Sequence, residues 1–294
     1  MKDYIVVTPC KNEEDNIIQL ADSIINQTIQ PKLWVIIDDG STDSTPQLLK
    51  TLTLMCNWIY VSTLQSGKRD LSFHYAEVVN NGLTLALNIS KEYLISYSYV
   101  GLIDADMILP PYFFEKMITK FEGNPNLGVA SGAVVYEKGE KKVLEKGRNN
   151  LPIGGLRVWK HECFVSTGGF PISYSADSVS NVLATLQGWD IAIFEDIQAT
   201  QTRETSSAEG LWNGYLTRGK SDYYRDYHPI YVIFKCLKYT FRYPFYVGLP
   251  YFCGYINGIT RIKRKIENKE VRNYYRNKHK EIIEYYGNKF SSFR

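Results

Sequence analysis

Five short apolar runs mark the first half of the chain: Tyr4–Thr8, Leu33–Ile37, Trp58–Val61, Val100–Ile103 and Leu127–Val135. Each is rich in β-branched or bulky residues and shows little polar alternation, the pattern of strands buried on both faces. Between them lie segments with helical spacing. In Asn16–Ile25 the apolar positions are Ile17, Leu20 and Ile24; in His74–Leu87 they are Val78, Leu83 and Leu87. Strands alternating with helices predict βαβ units, a mostly parallel sheet and an α/β, Rossmann-like class. The pattern changes after residue 136. Lys138–Gly147 is charged and predicts a hairpin or excursion, Asp177–Gln187 a helix stopped by Gly188, and Trp189–Phe194 one more strand. Aromatic-rich amphipathic helices follow Arg203.

Charge divides the chain of 294 residues. Residues 229–294 hold 14 Lys/Arg against 4 Asp/Glu, a balance of +10 within a total of +3, which leaves 1–228 at −7. The sequence therefore suggests two parts, a body over 1–228 and a basic aromatic tail over 229–294. The five cysteines (Cys10, Cys56, Cys163, Cys236, Cys253) form no CxxC pair. Their scatter argues against a disulfide framework or zinc site and fits a reducing compartment. The apolar strand at Tyr4 follows no basic leader, so the expected location is cytoplasmic.

Ligands of open parallel sheets bind beyond the carboxyl ends of the strands. Three polar segments fall there. Thr8-Pro9-Cys10-Lys11-Asn12-Glu13-Glu14 follows the first strand and leads into a helix, whose free N–H groups suit an anion; an ordinary capped turn is the plain alternative. Ile37-Asp38-Asp39-Gly40-Ser41-Thr42-Asp43 closes the second. There Asp38 can accept from a base N–H, and Ser41, Thr42 or Asp43 can cap the next helix; solvated turn acids are the alternative. Asp104 and Asp106 interrupt the fourth apolar run. Two carboxylates two apart on a strand share a face and can meet one Mg²⁺ or Mn²⁺, which would offset the charge of a departing diphosphate.

These segments, in this order, resemble the inverting glycosyltransferases of family 2, which have the GT-A fold. The resemblance covers roughly residues 3–200 and adds Gly168-Gly169-Phe170 and the helix His74–Ala86, with Ala76, Asn80, Asn81 and Gly82. It departs from the family's usual lysine-glycine-alanine wording across residues 64–75. The resemblance implies that Pro9, Asn12, Glu13, Asp38 and Asp39 hold the nucleotide and Asp104 and Asp106 the metal. The family's base is an Asp preceded by Glu; here Ser175-Ala176-Asp177 keeps only the Asp. Asp177 is the expected base, with a helix N-cap as its plain alternative and Glu195-Asp196 as rival pair. Gly154-Gly155 and Gly168-Gly169 flank a helix-like segment with Trp159 and His161, the expected acceptor floor. Trp159 either stacks on a sugar or fills the core. Of the histidines, His228 either joins the metal and closes over the diphosphate or is structural.

Within the tail, Lys235, Lys238 and Arg242 share a helical face, and Tyr243–Thr260 runs without a charge. Pro244, Pro250, three glycines and Asn257 favour an interfacial or re-entrant segment over a membrane span. A buried helical pair with a solvated basic face is the alternative. The expected partners are a nucleotide-sugar donor, a lipid-linked acceptor and the inner face of a membrane, touched peripherally. No nucleic-acid motif accompanies the charge. Two other functions share the plan: a sugar-nucleotide-forming nucleotidyltransferase, which would want a Gly-rich Arg/Lys loop after the first strand, and a non-catalytic nucleotide-sugar-binding protein.

Overall fold

The computed structural model describes residues 2–65, 73–138, 141–144, 151–202 and 210–291. It divides into two compact units, Met1–Glu204 and Thr205–Arg294.

The first unit alternates as the apolar pattern predicts: β1 (Tyr4–Cys10), α1 (Ile17–Ile25), β2 (Leu33–Asp38), α2 (Thr45–Met55), β3 (Ile59–Thr63), α3 (Phe73–Glu92) and β4 (Tyr99–Ile103). Then come β5 (Met107–Ile108), α4 (Phe113–Gly123), β6 (Leu127–Lys138), β7 (Lys141–Leu144), β8 (Leu156–Lys160), α5 (His161–Ser166), α6 (Ala176–Leu186) and β9 (Asp190–Gln201). Among the described residues the sheet order is β3-β2-β1-β4-β8-β6-β9-β5, with β7 beside β6. Neighbours are parallel across β3-β2-β1-β4 and between β6 and β9, whereas β8 runs antiparallel to β4 and β6. This is the mixed α/β layout expected, with helices on both faces.

Alternate strand residues feed two cores. Tyr4, Val6, Trp34 and Ile36 pack with α1, α2 and α4. Ile5, Val7, Val35 and Ile37 pack with α3, α5 and α6. Helix α3 lies so close to the sheet that a Cβ on Gly82 would stand 2.5 Å from Val7 Cγ1. The registers Cys10↔Asp38 and Val7↔Leu102 align the carboxyl ends of β1, β2 and β4 on one edge, where the polar motifs emerge.

Several sequence expectations are corrected here. Leu156–Lys160 is strand β8, not helix-like, because its backbone pairs with β4 and β6. Asp104 and Asp106 lie in the turn between β4 and β5, closed by Met107 N–H donating to the Asp104 carbonyl at 3.2 Å. Strand alternation therefore does not orient them. The strand expected at Trp189–Phe194 continues to Gln201, with a register shift opposite Gly132/Ala133. The hairpin expected over Lys138–Gly147 pairs Lys138 with Lys141, and its residues 139–140 and 145–147 lie outside the described ones. Of residues 64–75, where the family wording departs, 66–72 lie outside them too.

The second unit comprises α7 (Gly210–Tyr224), α8 (Pro229–Thr240), a 3₁₀ turn at Phe245–Val247, α9 (Gly248–Asn257), a π turn at Gly258–Ile262 and α10 (Lys269–Ser291). The division falls earlier than residue 228, because α7 packs intimately with the tail. A Cβ on Gly219 would stand 2.0 Å from the Tyr251 carbonyl oxygen, and one on Gly254 2.0 Å from that of Leu216. Asp222 is fully enclosed and is held by Arg225 Nη2 at 2.7 Å, Lys235 Nζ at 2.5 Å and the Tyr251 hydroxyl at 2.7 Å. Burial opposes its charge, and Lys235 and Arg225 outweigh that, so its carboxyl lies below the usual carboxylate range. The expected basic face of α8 is thus split: Lys235 turns inward, Lys238 and Arg242 outward.

Candidate active site

The loop after β1 and the loop after β2 are clasped together. Asn12 adopts φ +54°, donates its N–H to Ser41 Oγ (2.9 Å) and accepts the Thr42 N–H on Oδ1 (2.8 Å). Glu13 is buried; its N–H donates to Thr45 Oγ1 (2.8 Å), and its Oε2 accepts from Asn16 Nδ2 (2.8 Å). None of the three capping candidates is the N-cap of α2, which is Ser44; Asp43, one residue earlier, accepts the Thr45 N–H at 3.0 Å. Burial opposes its charge, but hydrogen bonds from Thr45 and Glu14 hold its carboxyl below the usual range. Asn12 and Glu13 therefore hold the two loops together, and Pro9 is half-buried.

Asp38 is almost wholly buried. Its Oδ1 accepts the Ser41 N–H (2.9 Å), while Oδ2 has no hydrogen-bond partner among the described residues. A buried, unsatisfied carboxylate oxygen is costly unless a ligand supplies the donor. Asp39, also buried, meets Lys11 Nζ at 3.0 Å and His74 Nε2 at 2.9 Å from each carboxylate oxygen. It ties β2 to the start of α3.

Asp104 and the expected base, Asp177, both lie against a glycine strap. A Cβ on Gly155 would stand 1.8 Å from Asp104 Oδ2; one on Gly154 would stand 3.4 Å from Asp177 Cβ. Asp104 and Asp177 thus lie against consecutive glycines of the same segment, so what stands close to Gly154-Gly155 is these two side chains rather than an acceptor. The Tyr75 hydroxyl donates to Asp104 Oδ1 at 2.8 Å. Burial, then the Asp104 charge, push the Tyr75 phenol well above its ordinary value, so it stays a donor. Asp106 is buried and accepts from Gln201 Nε2 at 3.2 Å. Asp177 occupies the first turn of α6, after Ser175 at φ +50°.

Other sites are placed differently. Trp159 is wholly buried, donates Nε1–H to Ser180 Oγ (3.3 Å) and meets Phe164 and Phe170 edge-on. It fills the core and cannot stack on a sugar. Gly168 and Gly169 take φ +77° and +80° where the chain leaves α5, with Gly169 N–H donating to the Phe164 carbonyl at 2.8 Å. Left-handed backbone accounts for both glycines. Asp196 is exposed and paired with Lys120 at 2.9 Å. His228, in the second unit, caps α8 by accepting the Ile230 N–H on Nδ1 (3.3 Å) and stacks on His279 at 4.2 Å.

Sequence reading missed Lys11, His74, Tyr75 and Arg157. Arg157 had a signal: it is a lone charge inside the apolar strand Leu156–Trp159, the same interruption that marks Asp38 and Asp104. Among the described residues no group of three His, Cys, Asp or Glu is arranged to hold a metal ion. The donor set at Asp104 and Asp106 is hard oxygen, which fits Mg²⁺ or Mn²⁺ completed by phosphate and water oxygens.

Comparison with known proteins agrees with this layout. Residues 5–176 match the model of "Glycosyl transferase family 2", ending one residue before Asp177. Poly-β-1,6-N-acetyl-D-glucosamine synthase of Staphylococcus aureus is 29% identical over 126 residues, 42% of this chain and 26% of that enzyme. The chain thus matches about a quarter of the length of such curated relatives. Crystalline S. aureus TarS 1–349 with UDP-GlcNAc superposes with TM-score 0.56 at 17% identity, over 75% of this chain and 65% of that one. A mannosyltransferase, PcManGT from Pyrobaculum calidifontis, in complex with GDP-Man and Mn²⁺, superposes with TM-score 0.52 at 18% identity, over 88% and 70%. These structures share the fold, and the family match over more than half its length decides the classification: the chain belongs to glycosyl transferase family 2.

Proposed function

We propose that the chain is an inverting glycosyltransferase that moves a sugar from a nucleoside-diphosphate sugar to an acceptor hydroxyl at a membrane surface. The observation that carries this is the strap at Gly154-Gly155, against which Asp104 and Asp177 both rest. An in-line displacement needs charge compensation for the leaving diphosphate and a base for the acceptor. Asp38, through its unpartnered Oδ2, accepts an N–H of the base. Asn12 and Glu13 hold the two loops together, and Asp39 is fixed by Lys11 and His74. Asp104 and Asp106 would hold Mg²⁺ or Mn²⁺, which when bound offsets the negative charge of the diphosphate. Asp177 takes the acceptor proton as the acceptor oxygen bonds to the anomeric carbon, and the bond from that carbon to the diphosphate oxygen breaks with its electron pair. The solved structures of TarS in complex with UDP-GlcNAc and of PcManGT in complex with GDP-Man and Mn²⁺ support a nucleotide-sugar donor and a divalent metal here.

The acceptor side rests on the second unit. Ile230, Ile233, Phe234, Leu237 and Phe241 recur at helical spacing along α8, and all are exposed. Leu249, Phe252, Ile256 and Ile259 do the same on α9 and the following turn. Tyr243, Phe245 and Tyr246 are exposed between them, with Trp212 of α7 stacked on Tyr246 at 6.4 Å. Exposed apolar area on this scale marks an interaction surface. Exposed Lys238, Arg242, Arg261, Lys263 and Arg264 accompany it, the combination that suits an anionic bilayer interface rather than a nucleic acid. Among the described residues no helix is long and apolar enough to cross a membrane, and the proposed contact is a peripheral one. That surface supports a lipid-linked acceptor. The five cysteines are unpaired, which supports the cytoplasmic face.

The test is Asp177→Asn. Turnover is expected to fall by about 10²–10⁴ with the affinity for the nucleoside diphosphate unchanged. Normal turnover would move the base to Glu195 or Asp196.

A further inference from the structure

Arg157 is fully enclosed on β8, and among the described residues its hydrogen bonds all end on neutral oxygens. Nε donates to the Ile153 carbonyl (3.1 Å). Nη2 donates to the carbonyls of Pro152 (3.1 Å) and Asp177 (3.3 Å) and to Asn181 Oδ1 (3.3 Å). Nη1 is buried with no hydrogen-bond partner among the described residues, and the guanidinium lies 5.1 Å from the Trp159 ring and 5.9 Å from that of Phe170. A buried guanidinium without a bonded carboxylate is expensive. A core that needed only filling would place an apolar side chain here. The two ends of its hydrogen-bond set matter more than their number: Pro152 and Ile153 run directly into Gly154-Gly155, and Asp177 opens α6.

We propose that Arg157 is a positioning residue for glycosyl transfer, locking the Pro152–Gly155 strap to the first turn of α6 and so fixing Asp177 relative to Asp104. The inference rests on the reading of Asp177 as the base. Asn181 doubles the lock, because its Nδ2 also donates to the Pro152 carbonyl at 3.2 Å. Only a planar fork reaches these acceptors together; a lysine ammonium at the end of a flexible stem does not. The charge is tolerated because of the same acids. Burial depresses the basicity of Arg157, and the nearby carboxylates of Asp177 and Asp104, in that order, work to restore it. Arg157 therefore supports the geometry from beneath without touching substrate.

The experiment uses the full chain and whichever of UDP-N-acetylglucosamine, UDP-glucose and GDP-mannose the wild type turns over. Arg157→Met, Arg157→Lys and Asn181→Ala are assayed for kcat and KM, with calorimetric affinity for UDP or GDP and thermal melting alongside. Misplacement of a reacting group by about 1 Å costs about 10²-fold in rate, so Arg157→Met should lose about that much in kcat. Nucleotide affinity and donor KM should stay within about twofold, and Arg157→Lys should recover only part of kcat. Asn181→Ala, which keeps the guanidinium buried, should show a smaller loss with the same split. In a double variant with Asp177→Asn, Arg157→Met should add little to the loss from Asp177→Asn alone, because both act on one step. The inference is overturned if Arg157→Met and Asn181→Ala keep wild-type kcat, if kcat and nucleotide affinity fall together, or if the two losses multiply. Wild-type turnover by Asp177→Asn alone defeats the base assignment, a result read separately from the Arg157 and Asn181 single variants.

Discussion

Gly154 and Gly155 are neighbours with opposite expected tolerance, and the difference follows from what each Cβ would meet. At Gly155 an added methyl stands 1.8 Å from Asp104 Oδ2, 2.1 Å from Cγ and 2.8 Å from Cβ. Non-bonded carbon atoms settle at about 3.5–4.0 Å, so the Asp104 carboxylate must withdraw by on the order of 1.5 Å or the strap must move away. Asp104 is not free to swing, because Tyr75 holds Oδ1 at 2.8 Å and the Asp104 N–H donates to the Gly155 carbonyl at 2.9 Å. Overpacking of this kind costs about 1–3 kcal/mol of stability. A shift of about 1 Å at a reacting site costs about 10²-fold, or about 2.7 kcal/mol of activation free energy. At Gly154 the methyl would meet Asp177 Cβ at 3.4 Å, an ordinary contact, and the expected effect is within about 0.5 kcal/mol. Turnover of donor, Mn²⁺ titration in the presence of UDP or GDP, and thermal melting should be compared for Gly155→Ala and Gly154→Ala. Gly155→Ala should lose about two orders of magnitude in kcat and weaken Mn²⁺ binding, whereas Gly154→Ala should stay near wild type. Wild-type kcat and Mn²⁺ affinity in Gly155→Ala would refute the placement of Asp104 against the strap.

Replacing Phe241, Phe245, Leu249 and Phe252 together with Ser should abolish most partition onto anionic vesicles, since each exposed side chain contributes about 1 kcal/mol when it enters the interface. High salt should weaken but not eliminate binding of the unaltered chain, each basic residue near the surface contributing about 1 kcal/mol. Co-sedimentation at two salt concentrations reads both, and an unaltered chain left in the supernatant at low salt would remove the lipid surface. Asp222→Asn strips the anion from Arg225 and Lys235, and should cost the second unit about 3–5 kcal/mol in denaturant unfolding. Because the folded Asp222 carboxyl lies below its ordinary value, its contribution is present above the usual aspartate range and is lost as pH falls through the lowered value. Stability that does not decline on acidification in the wild type, or an undiminished midpoint in Asp222→Asn, would contradict the network.

The strand ends that carry Asp38 and Asp104 were legible because buried parallel strands announce themselves as unbroken apolar runs, and polar residues closing them stand out. The stop at Gly188 was legible too, since φ +83° suits glycine. What stayed hidden depends on partners distant in the chain. For Trp159 the sequence left a sugar platform and a core position both open, and the β8 pairing decides for the core. The tail showed its helical spacing but not which face turns inward. Asp222 draws Lys235 inside and leaves Ile233 and Leu237 outside, the reverse of ordinary amphipathic packing. Short strands such as β5 carry too few residues for a periodic signal. The hydrogen bond from Gln201 to Asp106 needs a register that only the folded sheet supplies.

Transfer with inversion at a metal-assisted site is read out in the stereochemistry of the product. The full chain, with Mn²⁺ or Mg²⁺ and vesicles carrying a lipid-linked saccharide, should convert an α-linked nucleotide sugar into a β-linked product, followed by NMR of the anomeric proton. Excess EDTA should stop the reaction and Mn²⁺ should restore it. A product that retains the α configuration, or full turnover with metal removed, would contradict the account.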